Sequence, residues 1–315
     1  MKYLITGGAG FIGSHLSEKL LHSGNEVICI DNFNDYYDPD VKRKNLQSFY
    51  SHPRFELVEA DILDYEKIQP LFRLHHFDIA VHLAARAGVR PSIQKPLLYE
   101  KVNVQGTMNL LELCRDYQVK KFVFASSSSV YGANKKVPFQ ESDPVDNPIS
   151  PYAATKKAGE LICYTYHQLY DISVNCLRFF TVYGPRQRPD MAIHKFARLI
   201  LQEKPIPVFG SGKSRRDYTF ISDIVQGIMG AIENCNGYHI YNLGESNTVE
   251  LLYLIELIQD ALGKKAILDF QPEQPGDVPI TFADISKARD ELNYDPQINI
   301  EAGIKQFAEW FVQNK

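Results

Sequence analysis

Three features of the chain predict an α/β protein built on a doubly wound parallel sheet. Short apolar runs alternate with longer amphipathic stretches through the first 180 residues, a glycine-rich segment follows the first apolar run directly, and a serine cluster follows a later one. The strands expected, in order, are Lys2–Thr6, 26–30, Phe55–Glu59, Ile79–His82, 122–125 and 173–178. The helices expected between them are Phe11–His22, 65–74, 96–117 and Pro151–Tyr170. The last two carry apolar residues around more than one face (Leu110, Leu111 and Leu113; Leu161, Ile162, Tyr164 and Tyr166), which predicts burial on several sides and suits a helix pair shared between two subunits. After Arg178, prolines and Gly210-Ser211-Gly212 break the pattern, so a smaller α/β lobe is expected over 181–315, with some later segments able to rejoin the first domain, 1–180. Helices are expected there at 191–202, 223–233, 249–262 and Ile300–Gln313.

Composition narrows the functions. The 315 residues are 44% hydrophobic, enough for a substantial core. With 34 Lys+Arg against 38 Asp+Glu the net charge is −4, which gives no basic field for nucleic acid. Five cysteines stand singly, with no CxxC pair, as expected of buried thiols in a reducing compartment. The Met1 end has no export pattern, and no apolar run approaches the roughly 18 residues of a membrane span. A cytoplasmic protein is the expectation. His15, His82, His167 and His194 lack metal-ligand spacing and are expected to be structural, with no metal site.

Thr6-Gly7-Gly8-Ala9-Gly10-Phe11-Ile12-Gly13 joins the first strand to the first helix. Glycines at 7, 10 and 13 permit a tight turn and close approach to a pyrophosphate, which the helix N-terminus then meets with free N–H groups, the fingerprint of a Rossmann dinucleotide site. Asp31-Asn32 ends the second strand. A carboxylate at Asp31 accepts hydrogen bonds from an adenosine ribose and repels a 2′-phosphate, so NAD is expected rather than NADP.

Ser126-Ser127-Ser128-Ser129 lies at the carboxyl end of another strand, where open α/β sheets place their ligands. Tyr152 and Lys156, four apart near a helix start, share one face. A phenol titrating near about 10 needs a nearby cation to become a usable base at neutral pH, and Lys156 is positioned to supply it.

With these motifs the chain resembles the extended short-chain dehydrogenases/reductases along essentially its whole length. The resemblance makes Ser127 the catalytic hydroxyl, Tyr152 the base and Lys156 the ribose-binding helper. It places Asp61-Ile62 at the adenine, Leu83-Ala84-Ala85 along the cofactor and Asn103 on its helix nearby, and it implies a homodimer. Dehydratase and decarboxylase relatives put acidic residues in the segment matching Ser128-Ser129. Hydroxyls alone stand here, which leaves simple return of the hydride, the chemistry of an epimerase.

Residues 179–192 and 30–38 resemble UDP-glucuronate 4-epimerases. That resemblance puts Thr181 and Arg188 near a sugar carboxylate, with Arg90 a further candidate beside Ser127, Ser128 and Ser129, and Arg216 at the diphosphate. Residues 274–279, ahead of Ala283-Asp284, lack the arginine often found there in neutral-sugar relatives. UDP-glucose or UDP-N-acetylglucosamine 4-epimerase is the alternative enzyme, and a non-catalytic NAD sensor a remote one. Tyr36 and Tyr37 suit either a loop over the cofactor or a solvated hairpin tip.

Overall fold

A computed structural model describes residues 1–273 and 278–314. The first part runs β1 (Lys2–Thr6), α1 (Phe11–His22), β2 (Glu26–Asp31), α2 (Pro39–Leu46), β3 (Phe55–Glu59), α3 (Tyr65–His75), β4 (Ile79–His82), α4 (Val89–Gln94), α5 (Pro96–Glu100), a π turn (Lys101–Gln105), α6 (Gly106–Asp116), β5 (Lys121–Ser127), α7 (Pro151–Tyr170) and β6 (Ser173–Phe179). The second runs β7 (Thr181–Tyr183), α8 (Ala192–Leu201), β8 (Pro205–Phe209), β9 (Arg215–Arg216), β10 (Tyr218–Phe220), α9 (Ile221–Glu233), β11 (Tyr238–Leu243), β12 (Val249–Glu250), α10 (Leu251–Leu262), β13 (Ile267–Gln271), α11 (Ser286–Leu292) and α12 (Ile300–Gln313).

Seven parallel strands form the central sheet in the order β11-β6-β5-β4-β1-β2-β3. Alternate residues of each strand enter opposite layers: Ile5, Val81 and Val123 pack with α1, while Leu4, Ala80 and Phe124 pack with α3, α6 and α7. Chain order reverses where β1 lies between β2 and β4, with Thr6 opposite both Ile30 and His82. The crevice outside that reversal is where such sheets bind ligands.

One expectation changes and two gain detail. The helix expected over 96–117 is two α-helices separated by the π turn, because Asn103 turns inward there to bond neighbouring backbone (below). The chain after residue 180 divides: β11 extends the main sheet beside β6 and α9 packs on α1, whereas β8 with β13, and α8, α10 and α12, build the separate lobe. Helix α7 is open on one face, where Leu161 is 55% exposed and Tyr164, packed edge-on against Tyr238, is still 47% exposed. Leu97, Met108 and Leu169 extend the apolar exposure onto α5, α6 and the end of α7. All five cysteines are buried free thiols. No helix among the described residues is long and apolar enough to cross a membrane.

Candidate active site

Gly7 leaves β1 with φ +68°, and its N–H donates to Ile30 O at 2.7 Å. A Cβ on Gly13 would sit 2.3 Å from Gly7 O, so only glycine lets α1 start this close to the loop. The helix cap, Gly10, has no side chain to satisfy the first N–H groups of α1, and no acidic residue occupies the first turn. Those donors and the helix dipole are free for an anion, and the residues present therefore fit a dinucleotide pyrophosphate.

A cavity of about 550 Å³ opens over this loop. Gly7, Gly10, Phe11, Ile12, Gly13, Asp31, Asn32, Asp61, Ile62, Leu83, Ala84 and Ala85 all line it, and Ser127, Ser128, Ser129, Tyr152, Lys156, Thr181 and Arg188 line its other part. Asn32 Nδ2 donates to Asp61 Oδ2 at 2.8 Å, joining the ends of β2 and β3. Asp31 pairs with Lys42 of α2 at 2.8 Å, both side chains being almost wholly buried.

At the end of the cavity beside α7, Ser150 caps that helix by accepting from Ala153 N at 3.1 Å, and Pro151 suits the first turn. This aims Tyr152 and Lys156 at the end of β5. Burial raises the Tyr152 phenol's pKa above its ordinary value, against the opposing pull of the Ser127 hydroxyl and of the Arg188 charge. Lys156 Nζ donates to Ala125 O at 2.6 Å, and burial pushes its pKa down to about 8. The Arg188 charge is one of those that pull the Tyr152 pKa down, and the Lys156 ammonium is engaged by the β5 backbone. Behind them, Arg178 grips Glu160 through Nε at 2.8 Å and Nη2 at 2.9 Å, and Ser126 donates to Glu160 at 2.7 Å. This buried cluster ties β5, β6 and α7 together one residue from Ser127.

A second network links the glycine loop to α7. The Thr107 hydroxyl donates to Asn103 O at 2.6 Å and so accepts from His82 Nε2, while Thr6 donates to His82 Nδ1 at 2.7 Å. Burial pushes the His82 pKa down to about 3, consistent with a neutral, structural imidazole. Asn103 does not line the cavity: its amide bonds the N–H and C=O of Arg86, at 2.8 and 3.0 Å, and Thr155 Oγ1 at 3.0 Å. It shapes the loop that lines the cavity from behind. No cluster able to hold a metal occurs among the described residues.

Elsewhere on the cavity wall, Thr181 begins β7, its N–H bonded to Asp217 O at 3.0 Å. The Arg188 guanidinium meets Asp190 through Nε–Oδ1 at 3.0 Å and Nη2–Oδ2 at 2.9 Å and lies over the Tyr36 ring. Tyr36 and Tyr37 line the cavity, and the Tyr36 hydroxyl donates to Ala87 O at 2.7 Å, so they are a cavity wall. Arg90 stacks on Phe209, and Arg216 Nη1 donates to Arg215 O at 2.9 Å; neither lines the cavity. Residues 274–277, in the stretch lacking the late arginine, lie outside the described residues. Sequence reasoning missed Lys42, Arg86 and Asp190 on the cavity wall. Arg86 directly follows Leu83-Ala84-Ala85 and was legible by adjacency; Lys42 and Asp190 carry no spacing signal.

The GDP-mannose 4,6 dehydratase family model matches residues 4–307, and the chain belongs to that family of extended short-chain dehydrogenases/reductases. It is 44% identical to a UDP-glucuronate 4-epimerase of Thermodesulfobacterium geofontis, over 99% of this chain and 96% of that one. The structure superposes with a TM-score of 0.93 on the UDP-glucuronic acid 4-epimerase of Bacillus cereus in complex with UDP-glucuronic acid and NAD, at 38% identity and 99% coverage of both chains. A UDP-glucose 4-epimerase of Thermotoga maritima with UDP-glucose follows at TM-score 0.91 and 33% identity, again over 99% of both.

Proposed function

We propose that the protein is an NAD-dependent UDP-sugar 4-epimerase that interconverts UDP-glucuronate and UDP-galacturonate. The observation that carries this reading is the meeting, in one cavity, of the glycine loop with Ser127, Tyr152 and Lys156, in a chain similar over its full length to UDP-glucuronate 4-epimerases. Gly7, Gly10, Gly13 and the N-terminus of α1 hold the pyrophosphate, and Asp31 the adenosine ribose. Bound NAD supplies a hydride acceptor and, later, the donor. Tyr152 takes the proton of the sugar C4 hydroxyl while Ser127 orients that hydroxyl, and after the 4-keto sugar turns over Tyr152 returns the proton.

The acid groups of the cavity favour epimerisation over dehydration. Its three carboxylates are Asp31, Asp61 and Asp190. The first two are engaged beside the glycine loop, with Lys42 and Asn32. Burial raises the pKa of Asp190, but Arg188 more than offsets this and holds it below the ordinary value, ionised and unsuited to protonate a leaving oxygen. Ser127, Ser128 and Ser129 offer hydroxyls only.

The sugar carboxylate is held by Thr181, the serine cluster and the charge of Arg188, away from the geometry in which a β-keto acid loses CO₂. The apolar face of α7 supports a homodimer in which a second copy covers Leu161, Tyr164 and Leu169, and the buried free thiols support a cytoplasmic location. Light scattering of the purified protein reads the first, and cell fractionation the second.

Incubating the purified protein without added NAD with UDP-glucuronate, UDP-glucose and UDP-N-acetylglucosamine in parallel tests the function. UDP-galacturonate as the sole efficient product supports it; preferential turnover of a neutral sugar overturns the role given to Thr181 and Arg188.

A further inference from the structure

The ribose end of the cofactor cleft contains a cation that the selection of NAD does not require. Asp31 ends β2, and its Oδ1 accepts both Phe33 N, at 3.0 Å, and the Lys42 ammonium, at 2.8 Å. Lys42 reaches this point from the second turn of α2, a helix capped by Asp38 and started by Pro39, so its backbone is fixed independently of Asp31. Its Nζ also lies 5.4 Å from the Tyr37 ring centroid and 6.0 Å from that of Phe33, which confine it to the cavity wall. The next residue, Arg43, lies over the Phe33 ring at 4.4 Å and is paired with Glu59. Of the two, only Lys42 lines the cavity beside Asp31, and its charge is neutralised by that carboxylate.

We infer that Lys42 is a latent 2′-phosphate ligand masked by Asp31, so that the choice of NAD over NADP rests on one carboxylate rather than on the shape or charge of the remaining cleft. In the wild type, Asp31 consumes the charge of Lys42 and presents its own to the ribose. With Asp31 neutral, the same ammonium stands buried and unpaired, the state in which a phosphate gains most from meeting it.

The inference rests on the reading of this cavity as an NAD site. Wild type, Asp31→Asn, Lys42→Met and Asp31→Asn/Lys42→Met are purified, the nucleotide each retains is released by acid and identified by chromatography, and NAD and NADP are titrated calorimetrically into stripped protein. Wild type should carry NAD. Asp31→Asn should shift the NADP-to-NAD affinity ratio at least roughly tenfold towards NADP, and the double variant should lose that shift. An unchanged ratio in Asp31→Asn, or an equal shift in the double variant, overturns the role of Lys42.

Asp31→Asn leaves a buried charge unpaired, whereas the double variant removes both charges, so melting curves with and without NADP accompany the titrations. Should Asp31→Asn fold poorly, rescue of its melting temperature by NADP but not by NAD supports the proposal, and equal rescue by both contradicts it. Absence of any dinucleotide from wild-type protein, with none bound on titration, would instead refute the NAD site itself.

Discussion

The ammonium of Lys156 donates to the carbonyl of Ala125 at 2.6 Å, so the lysine of the Tyr-x-x-x-Lys pair is anchored to the end of the strand that carries Ser127. Helix α7 and the strand that carries Ser127 are thereby fixed to each other.

That anchoring has a pH signature. Burial lowers the Lys156 pKa to about 8 in the folded protein, below its ordinary value of about 10.4 in an unfolded chain. Below pH 8 both states carry the proton and the desolvation penalty is fully present. Between about pH 8 and 10.4 the unfolded chain binds more protons, so this group's contribution to stability rises with pH. The melting temperature of wild type relative to Lys156→Met should therefore climb across that window. A flat difference would place Lys156 in a far more solvated environment.

Arg188 offers a second test. Its Nε and Nη2 are held by Asp190, so it acts on a sugar carboxylate chiefly through charge and its remaining N–H groups. Arg188→Ala should lower kcat/KM for UDP-glucuronate by roughly 10- to 100-fold, the scale of one charge-assisted hydrogen bond. Residual turnover of UDP-glucose should fall far less. Equal losses on both substrates would remove Arg188 from carboxylate recognition.

Gly13→Ala is expected to damage the cofactor site although alanine favours helix. The new Cβ would sit 2.3 Å from Gly7 O and 2.7 Å from Gly8 Cα, both backbone, so α1 must retreat from the loop. The gain of up to about 1 kcal/mol in helix propensity is outweighed. Retained NAD should fall sharply and the melting temperature drop; a variant purified with full NAD content would show that α1 can shift without cost.

Tyr152→Phe should cut turnover by at least roughly 10² to 10⁴, the contribution of general base catalysis, with NAD still retained. Near-normal rates would mean that another group takes the proton.

What the sequence disclosed follows the range of the interactions involved. The glycine loop, Asp31 and the Tyr152–Lys156 pair are local patterns: a turn, a strand end and two residues one helical turn apart, and each stands in the cavity. The bounds of α1 and α7 were legible because Gly10 and Ser150-Pro151 mark their starts. The π turn was not, since it depends on Asn103 reaching the backbone of Arg86, 17 positions away. Nor were Lys42 at Asp31 and Asp190 at Arg188, short ion pairs whose meaning comes from the walls around them. That later segments could rejoin the main sheet was legible, but not that Tyr238–Leu243 is the one that does, because its partner, β6, lies across an intervening segment of the lobe.

The central claim is that the hydride removed from C4 returns to C4 through a cofactor that never leaves. UDP-glucuronate deuterated at C4, converted by the purified protein in ordinary water with no NAD added, should give UDP-galacturonate that keeps its deuterium at C4 by NMR. Protium at C4 of the product, or turnover only when NAD is supplied in stoichiometric amount, would contradict the account.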